Sequence, residues 1–301
     1  MRVALGPIRP RPTGPGSTAP VVDAHHHVWD LGVRDQEWLA APGFAGLRRD
    51  FPVAELRPAA AAAGVGATVV VQTVTVAAET PELLALAEGD PLVRGVVGWT
   101  DLTAPGVAEE LARLAALPGG DRLVGIRHQV QGEADPRWLL RPDVGTGLAA
   151  VAAAGLAYDL VVLPHQLPAC VRAAERHPGL TFVLDHLGKP PVACGAMEPW
   201  ASAVRALAAL PHTVCKLSGL VTEAGPGWSV GALRPYAGTV LQAFGPGRLL
   251  FGSDWPVCLA VSSYGEVLDT ARELTRDLSP HERAQVLGGT AERVYGLSGR
   301  A

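Results

Sequence analysis

Short β-branched runs alternate with longer Ala- and Leu-rich segments from residue 21 almost to the end of the chain. Eight runs read as strands, at residues 21–24, 67–73, 93–99, 123–126, 158–163, 181–184, 214–217 and 249–251. Helices are predicted between them at 53–63, 81–88, 107–117, 147–154, 168–177, 199–210 and 230–244, with 264–276 and 280–287 after the last strand. Runs that are apolar throughout, such as Thr68-Val69-Val70-Val71, suit parallel strands covered on both faces. Eight β/α repeats in roughly 275 residues match a (β/α)₈ TIM barrel better than an open doubly wound sheet, which needs fewer strands and a Gly-rich first turn. No G-x-G-x-x-G or Walker pattern follows any strand, so nucleotide binding is not supported.

Composition narrows the class. At 301 residues, 48% of them hydrophobic, the chain can bury a large core, and α/β barrels of this size are commonly one domain, here residues 21–297. Residues 1–20 are rich in Arg, Pro and Gly, lack the apolar core of a signal peptide, and read as a disordered tail. A net charge of −4 provides no basic field for nucleic acid, and no apolar run is long enough for a membrane span. A small-molecule partner is expected, and a homo-oligomer is left open. Cys170, Cys194, Cys215 and Cys258 lie far apart with no Cys-x-x-Cys, which reads as free thiols in a reducing cytoplasm.

TIM-barrel chemistry sits where strands end on one face, and this chain places chemistry there. Strand one runs into His25-His26-His27, strand two into Gln72, strand four into Arg127-His128 and strand five into Pro164-His165. Strand six runs into Asp185-His186, strand seven into Lys216 and Ser218, and strand eight into Ser253-Asp254. Side chains alternate along a strand, so His25 and His27 point one way and His26 the other. Such a pair supplies two nitrogen ligands or two neutral donors held by backbone. Any one of these histidines can also be a helix cap or a satisfied core residue. His177, His212 and His281 fall in helices or turns and receive no role.

Several segments resemble the amidohydrolase superfamily, more narrowly its sugar-lactonase branch of L-fuconolactonase-like and L-rhamnonolactonase-like hydrolases. They are Asp23-Ala24-His25-His26-His27-Val28-Trp29, Gly125-Ile126-Arg127-His128, Trp138-Leu139-Leu140-Arg141-Pro142, Leu184-Asp185-His186-Leu187-Gly188-Lys189-Pro190, Lys216-Leu217-Ser218-Gly219-Leu220 and Leu250-Phe251-Gly252-Ser253-Asp254-Trp255-Pro256. The resemblance implies a (β/α)₈ barrel that opens lactone rings with water, with either one divalent cation, zinc foremost, or none. By the same resemblance the fifth-strand His165 completes a metal set with His25, His27 and Asp254, while His186 meets substrate or water. Nothing matches the carboxylated lysine of binuclear relatives, because Lys216 belongs to strand seven and Lys189 follows strand six.

Opening a lactone requires adding water to an ester carbonyl, stabilising the oxyanion and protonating the leaving ring oxygen. Asp254 is the expected general base, its pKa lifted by desolvation beside Trp255, and it can return the proton to the leaving oxygen. It can also be read as a helix N-cap or a partner for a strand-end arginine. His25 and His27 would hold the carbonyl oxygen through a cation or, with Arg127, as direct donors. His128, Glu223, Trp29 and Trp255 are expected at the substrate, although Trp29, Trp99, Trp138 and Trp255 read equally well as packing residues. Of the arginines, Arg127, Arg137 and Arg141 are placed to meet a carboxylate, but Glu223 would repel a dianionic ring. A neutral aldonolactone is therefore expected. The alternatives are a decarboxylase or amide hydrolase of the same superfamily and a non-catalytic carbohydrate-binding barrel.

Overall fold

The computed structural model describes residues 20–297, so the tail expected over residues 1–20 lies outside the described residues except for Pro20. Strands β1 (Val21–His26), β2 (Val65–Val71), β3 (Val93–Gly98), β4 (Leu123–His128), β5 (Ala157–Leu160), β6 (Phe182–Leu184), β7 (Thr213–Leu217) and β8 (Leu249–Phe251) pair in parallel, in chain order, around one sheet. Helices α1 (Val53–Ala63), α2 (Glu79–Gly89), α3 (Val107–Ala115), α4 (Pro142–Ala153), α5 (Leu167–Arg176) and α6 (Trp200–Ala208) follow the first six strands. The short α7 (Leu220–Ala224) and the long α8 (Val230–Phe244) follow β7, and α9 (Tyr264–Leu274), α10 (Pro280–Ala284) and α11 (Thr290–Tyr295) follow β8. The expected TIM barrel is the architecture found.

The core has two layers. Small residues fill the barrel, among them Val22, Ala24, Val69, Val97, Ala157, Val183, Val214 and Leu250. Larger side chains, such as Phe51, Tyr158, Phe182 and Trp200, lie between strands and helices. The barrel floor is made by residues 288–297. Ala291 and Tyr295 of α11 and the following Leu297 join the inner layer, and Gly288 passes so close to strand one that a Cβ there would meet the Pro20 carbonyl oxygen at 2.5 Å. The sequence pattern stops at residue 287 and misses α11. A π-helical turn, Gln285–Gly289, carries α10 into it across a Gly-Gly pair that reads as a terminator.

Closure joins β1 to the segment after β8. The Asp254 N–H donates to the His25 carbonyl at 2.8 Å, and the His27 N–H to the Trp255 carbonyl at 2.6 Å. Behind this seam the buried Asp23 carboxylate accepts from the Ser253 N–H at 2.8 Å, the Ser253 Oγ at 2.6 Å and the Tyr264 hydroxyl at 3.1 Å. We predict that Asp23→Ala, which strands those donors, costs about 2–4 kcal/mol of folding stability. Urea unfolding checks this, and an unchanged midpoint would refute the bracing role.

Candidate active site

His25 reaches the barrel mouth because the β1 ladder slips. Three residue steps on β1, Asp23 to His26, face two on β2, Thr68 to Val70. Such a bulge re-aims the side chains beyond it, so His25 and His27 point inward while His26 turns away to Thr68 Oγ1 at 3.0 Å. The His27 Nδ1–H donates to the Val71 carbonyl at 2.7 Å, which leaves its Nε2 with a bare lone pair. His25 Nε2 lies 3.1 Å from that nitrogen. Asp254 Oδ1 lies 3.5 Å from His27 Nε2 and 3.7 Å from His25 Nε2.

These three spacings bracket the ~3.3 Å edge of a tetrahedron whose ligand bonds are ~2.0–2.1 Å long. The donor set therefore fits a divalent cation. His25 Nδ1 has an acceptor, Asp185 Oδ1, at 3.4 Å and a donor, Lys216 Nζ, at 3.1 Å. Given to Asp185, the Nδ1 proton leaves Nε2 bare as a ligand. With Nδ1 accepting from Lys216, Nε2 carries the proton and becomes a donor.

His186 enters from β6 on an unusual backbone. His186, Leu187, Gly188 and Lys189 all have positive φ, between 51° and 72°. Each non-glycine residue in that conformation costs about 1–2 kcal/mol. Burial of Leu187 and a 2.7 Å hydrogen bond from Trp200 Nε1 to the Leu187 carbonyl hold the turn. Ser218 Oγ, 2.9 Å from Nδ1, orients the ring, and Nε2 faces Asp254 Oδ1 at 3.9 Å. Burial brings the His186 pKa down to about 4, so the ring is neutral near pH 7.

Asp254 departs from expectation. Burial raises its pKa as expected, but the neighbouring His186, His27 and Lys189 outweigh this, and the carboxyl is held below its ordinary range. The Trp255 ring packs edge-on against Phe51 at 5.5 Å.

Arg127, inward on β4, donates to Asp185 Oδ2 at 2.9 Å and to Gln72 Oε1 at 2.9 Å. Its Nη1 lies 3.4 Å from His25 Nε2. A cavity of about 430 Å³ opens above this centre, lined by His27, Arg127, His186, Glu223 and Asp254 together with Trp38, Phe44, Gln129, Gln131 and Lys189.

Four expected residues lie elsewhere. His165 is exposed, because β5 stops at Leu160 and the chain turns outward through Pro164–Gln166. Asp159, like Ala157, is an inward residue of that strand. His128 follows Arg127 and so faces the opposite side, where it stacks on Trp138 at 4.1 Å and pairs with Glu133 at 2.7 Å. Trp29 is buried against Trp38 and Phe51, and Trp255 against Phe51, so both are packing residues. Strand pattern alone gives Asp185, Lys216 and Asp159 no role, yet a lysine within the apolar run Val214-Cys215-Lys216-Leu217 is itself a signal of a buried partner.

The Amidohydrolase family model matches residues 22–297. The chain belongs to the amidohydrolase family. A family relative, the L-fucono-1,5-lactonase of Burkholderia multivorans, is 41% identical over 290 residues, covering 92% of this chain and 96% of that protein. The L-fucono-1,5-lactonase of Burkholderia ambifaria is 39% identical over 278 residues, 91% and 94% of the two chains. The crystal structure of a Burkholderia multivorans amidohydrolase with bound zinc is 42% identical, with a TM-score of 0.86 over 92% of this chain and 99% of that one.

Gly219 tests the placement of His186. It has φ +67°, and an added Cβ would lie 2.7 Å from the His186 ring. Gly219→Ala should lower turnover by about 10²-fold, the usual consequence of a small misplacement of a reacting group. Its stability loss should stay within about 1–3 kcal/mol. Wild-type turnover would show that this contact does not place the ring.

Proposed function

We propose that this amidohydrolase opens L-fucono-1,5-lactone, a neutral six-membered sugar lactone, with water to give the open sugar acid. The observation that carries this reading is a carboxylate facing three imidazoles, one of them beside a guanidinium, at the mouth of a barrel. A relative 41% identical over 92% of the chain that bears the lactonase name supports it. The cavity volume of about 430 Å³ suits one sugar ring.

The steps follow from the residues. The Asp254 carboxylate, ionised and anchored by its Oδ1 among the imidazoles, takes a proton from the attacking water with its other oxygen. Arg127 and the neutral His186 lie where charge develops on the carbonyl oxygen and stabilise it. Collapse of the tetrahedral adduct breaks the bond to the ring oxygen, and Asp254 returns the proton there. His25, His27 and Asp254 would hold a divalent cation, with zinc supported by the zinc-bound relative, and such a cation would polarise the carbonyl and acidify the water. His165 has no part in that set.

Substrate charge follows from the wall. Arg127 is the only arginine lining the cavity among the described residues, and it is already engaged by Asp185. Arg137 and Arg141 are both exposed, and Arg141 is tied to Asp143. Glu223 stands at the mouth 3.7 Å from Lys189, and burial lifts its pKa. Such a wall offers hydrogen bonds to hydroxyls and little to a second carboxylate.

Asp254→Asn keeps the shape and loses the base, so kcat should fall by about 10²–10⁴-fold while the thermal midpoint barely moves. A variant that turns over like wild type would refute the assignment. In a side-by-side assay, L-fucono-1,5-lactone should be hydrolysed far more efficiently than a pyrone dicarboxylate, and the reverse order would overturn the reading of Glu223. Chelation should abolish activity and zinc should restore it. Full activity in chelated protein would instead assign the carbonyl oxygen to Arg127 and the Nε2–H tautomer of His25 as direct donors.

A further inference from the structure

Lys216 is completely buried, in the barrel rather than at its rim. Strand alternation on β7 sends Val214 and Lys216 inward, one above the other. The ammonium lies 2.5 Å from Asp159 Oδ2, 2.9 Å from Asp185 Oδ1 and 3.1 Å from His25 Nδ1. Two carboxylates and an imidazole nitrogen are a donor set that a divalent cation takes. Here that set surrounds a cation carried by the chain itself.

The neighbours complete the arrangement. The Tyr295 hydroxyl closes it from the barrel floor, donating to Asp159 Oδ2 at 2.8 Å. Arg127 occupies the outer oxygen of Asp185 at 2.9 Å. Lys216 and Arg127 thus pair with Asp159 and Asp185, two charges of each sign. Beside it, potential ligand atoms converge in two adjoining groups that share His25: one with His27 and Asp254, the other with Asp185 and His186.

We propose that the Lys216 ammonium stands in the place of a second divalent cation beneath His25, and that its removal opens a latent cation site on Asp159 and Asp185. Lys216 is then the positioning residue that restricts the centre to the single ion proposed above. The inference rests on that single-cation reading only for the neighbouring site, because the quantity measured is the difference between variant and wild type.

Lys216→Ala vacates both the charge and the space. Wild type and variant would be stripped with chelator, reloaded with excess zinc, desalted, and their metal counted. The variant should hold one equivalent more than wild type, two against one, and zinc should raise its thermal midpoint more than it raises that of wild type. An equal count would overturn the inference, as would a variant that folds neither with nor without zinc. Wild-type crystals soaked in zinc give a second check by anomalous scattering. A peak among His25, His27 and Asp254 with none between Asp159 and Asp185 is expected, whereas a peak between those carboxylates in wild type would overturn it. A wild type that takes no zinc would refute the cation reading under the proposed function, while a gain of one equivalent in the variant would still uphold this inference.

Discussion

Four buried charges, Lys216, Arg127, Asp159 and Asp185, are what the rest of the centre leans on. Two opposite charges 4 Å apart attract by about 4 kcal/mol at an effective dielectric of 20, and these pairs are closer. Leaving one such charge unpartnered costs about 3–5 kcal/mol, so each holds its neighbour in a single arrangement. Asp185 is the middle of this arrangement. One of its oxygens faces Lys216 and His25, and the other receives Arg127. The orientation of the first imidazole and of the guanidinium therefore follows from one carboxylate that touches no substrate.

Strain is placed next to this rigid base. Asp254 has φ 58°, and the turn after β6 keeps three non-glycine residues left-handed. Helical or extended backbone at those positions would send His186 and Asp254 away from one another. The buried Leu187, the Trp200 hydrogen bond and the backbone bond from Asp254 to His25 over-determine the strained conformation. This is preorganisation in a physical sense, because the cost is met in folding rather than at the moment of reaction. Asp254 illustrates the balance. Burial pushes its proton affinity up, His186, His27 and Lys189 push it down, and these three neighbours win, so the carboxylate is present before substrate arrives.

Much of the fold was legible because it is periodic. Residues 53–63 and 230–244 are helical over the span their apolar spacing predicts, and residues 249–251 form the last strand as expected. The convergence of His25 and His27 and the inward turn of Arg127 were legible for the same reason, since alternation along a strand is a property of the strand alone. The family resemblance placed Asp254 and His186 in the same centre, where the structure brings them together with the two histidines.

What the sequence determined by itself was the succession of eight strands and the residue types waiting at their ends, because local propensity and spacing are written along the chain. Only tertiary structure decided where each strand stopped and in what phase. Ending β5 at Leu160 discards His165, and a slipped residue in β1 aims His25 inward. Whether Trp29, Trp255 and His128 face a ligand or their neighbours depends on contacts with Phe51, Trp138 and Glu133, which arrive from elsewhere in the chain. The charge balance around Lys216 joins β4, β5, β6, β7 and α11, and no window of sequence contains it. A pattern along one strand records which side a residue takes, whereas pairing and burial between strands exist only once the barrel has closed.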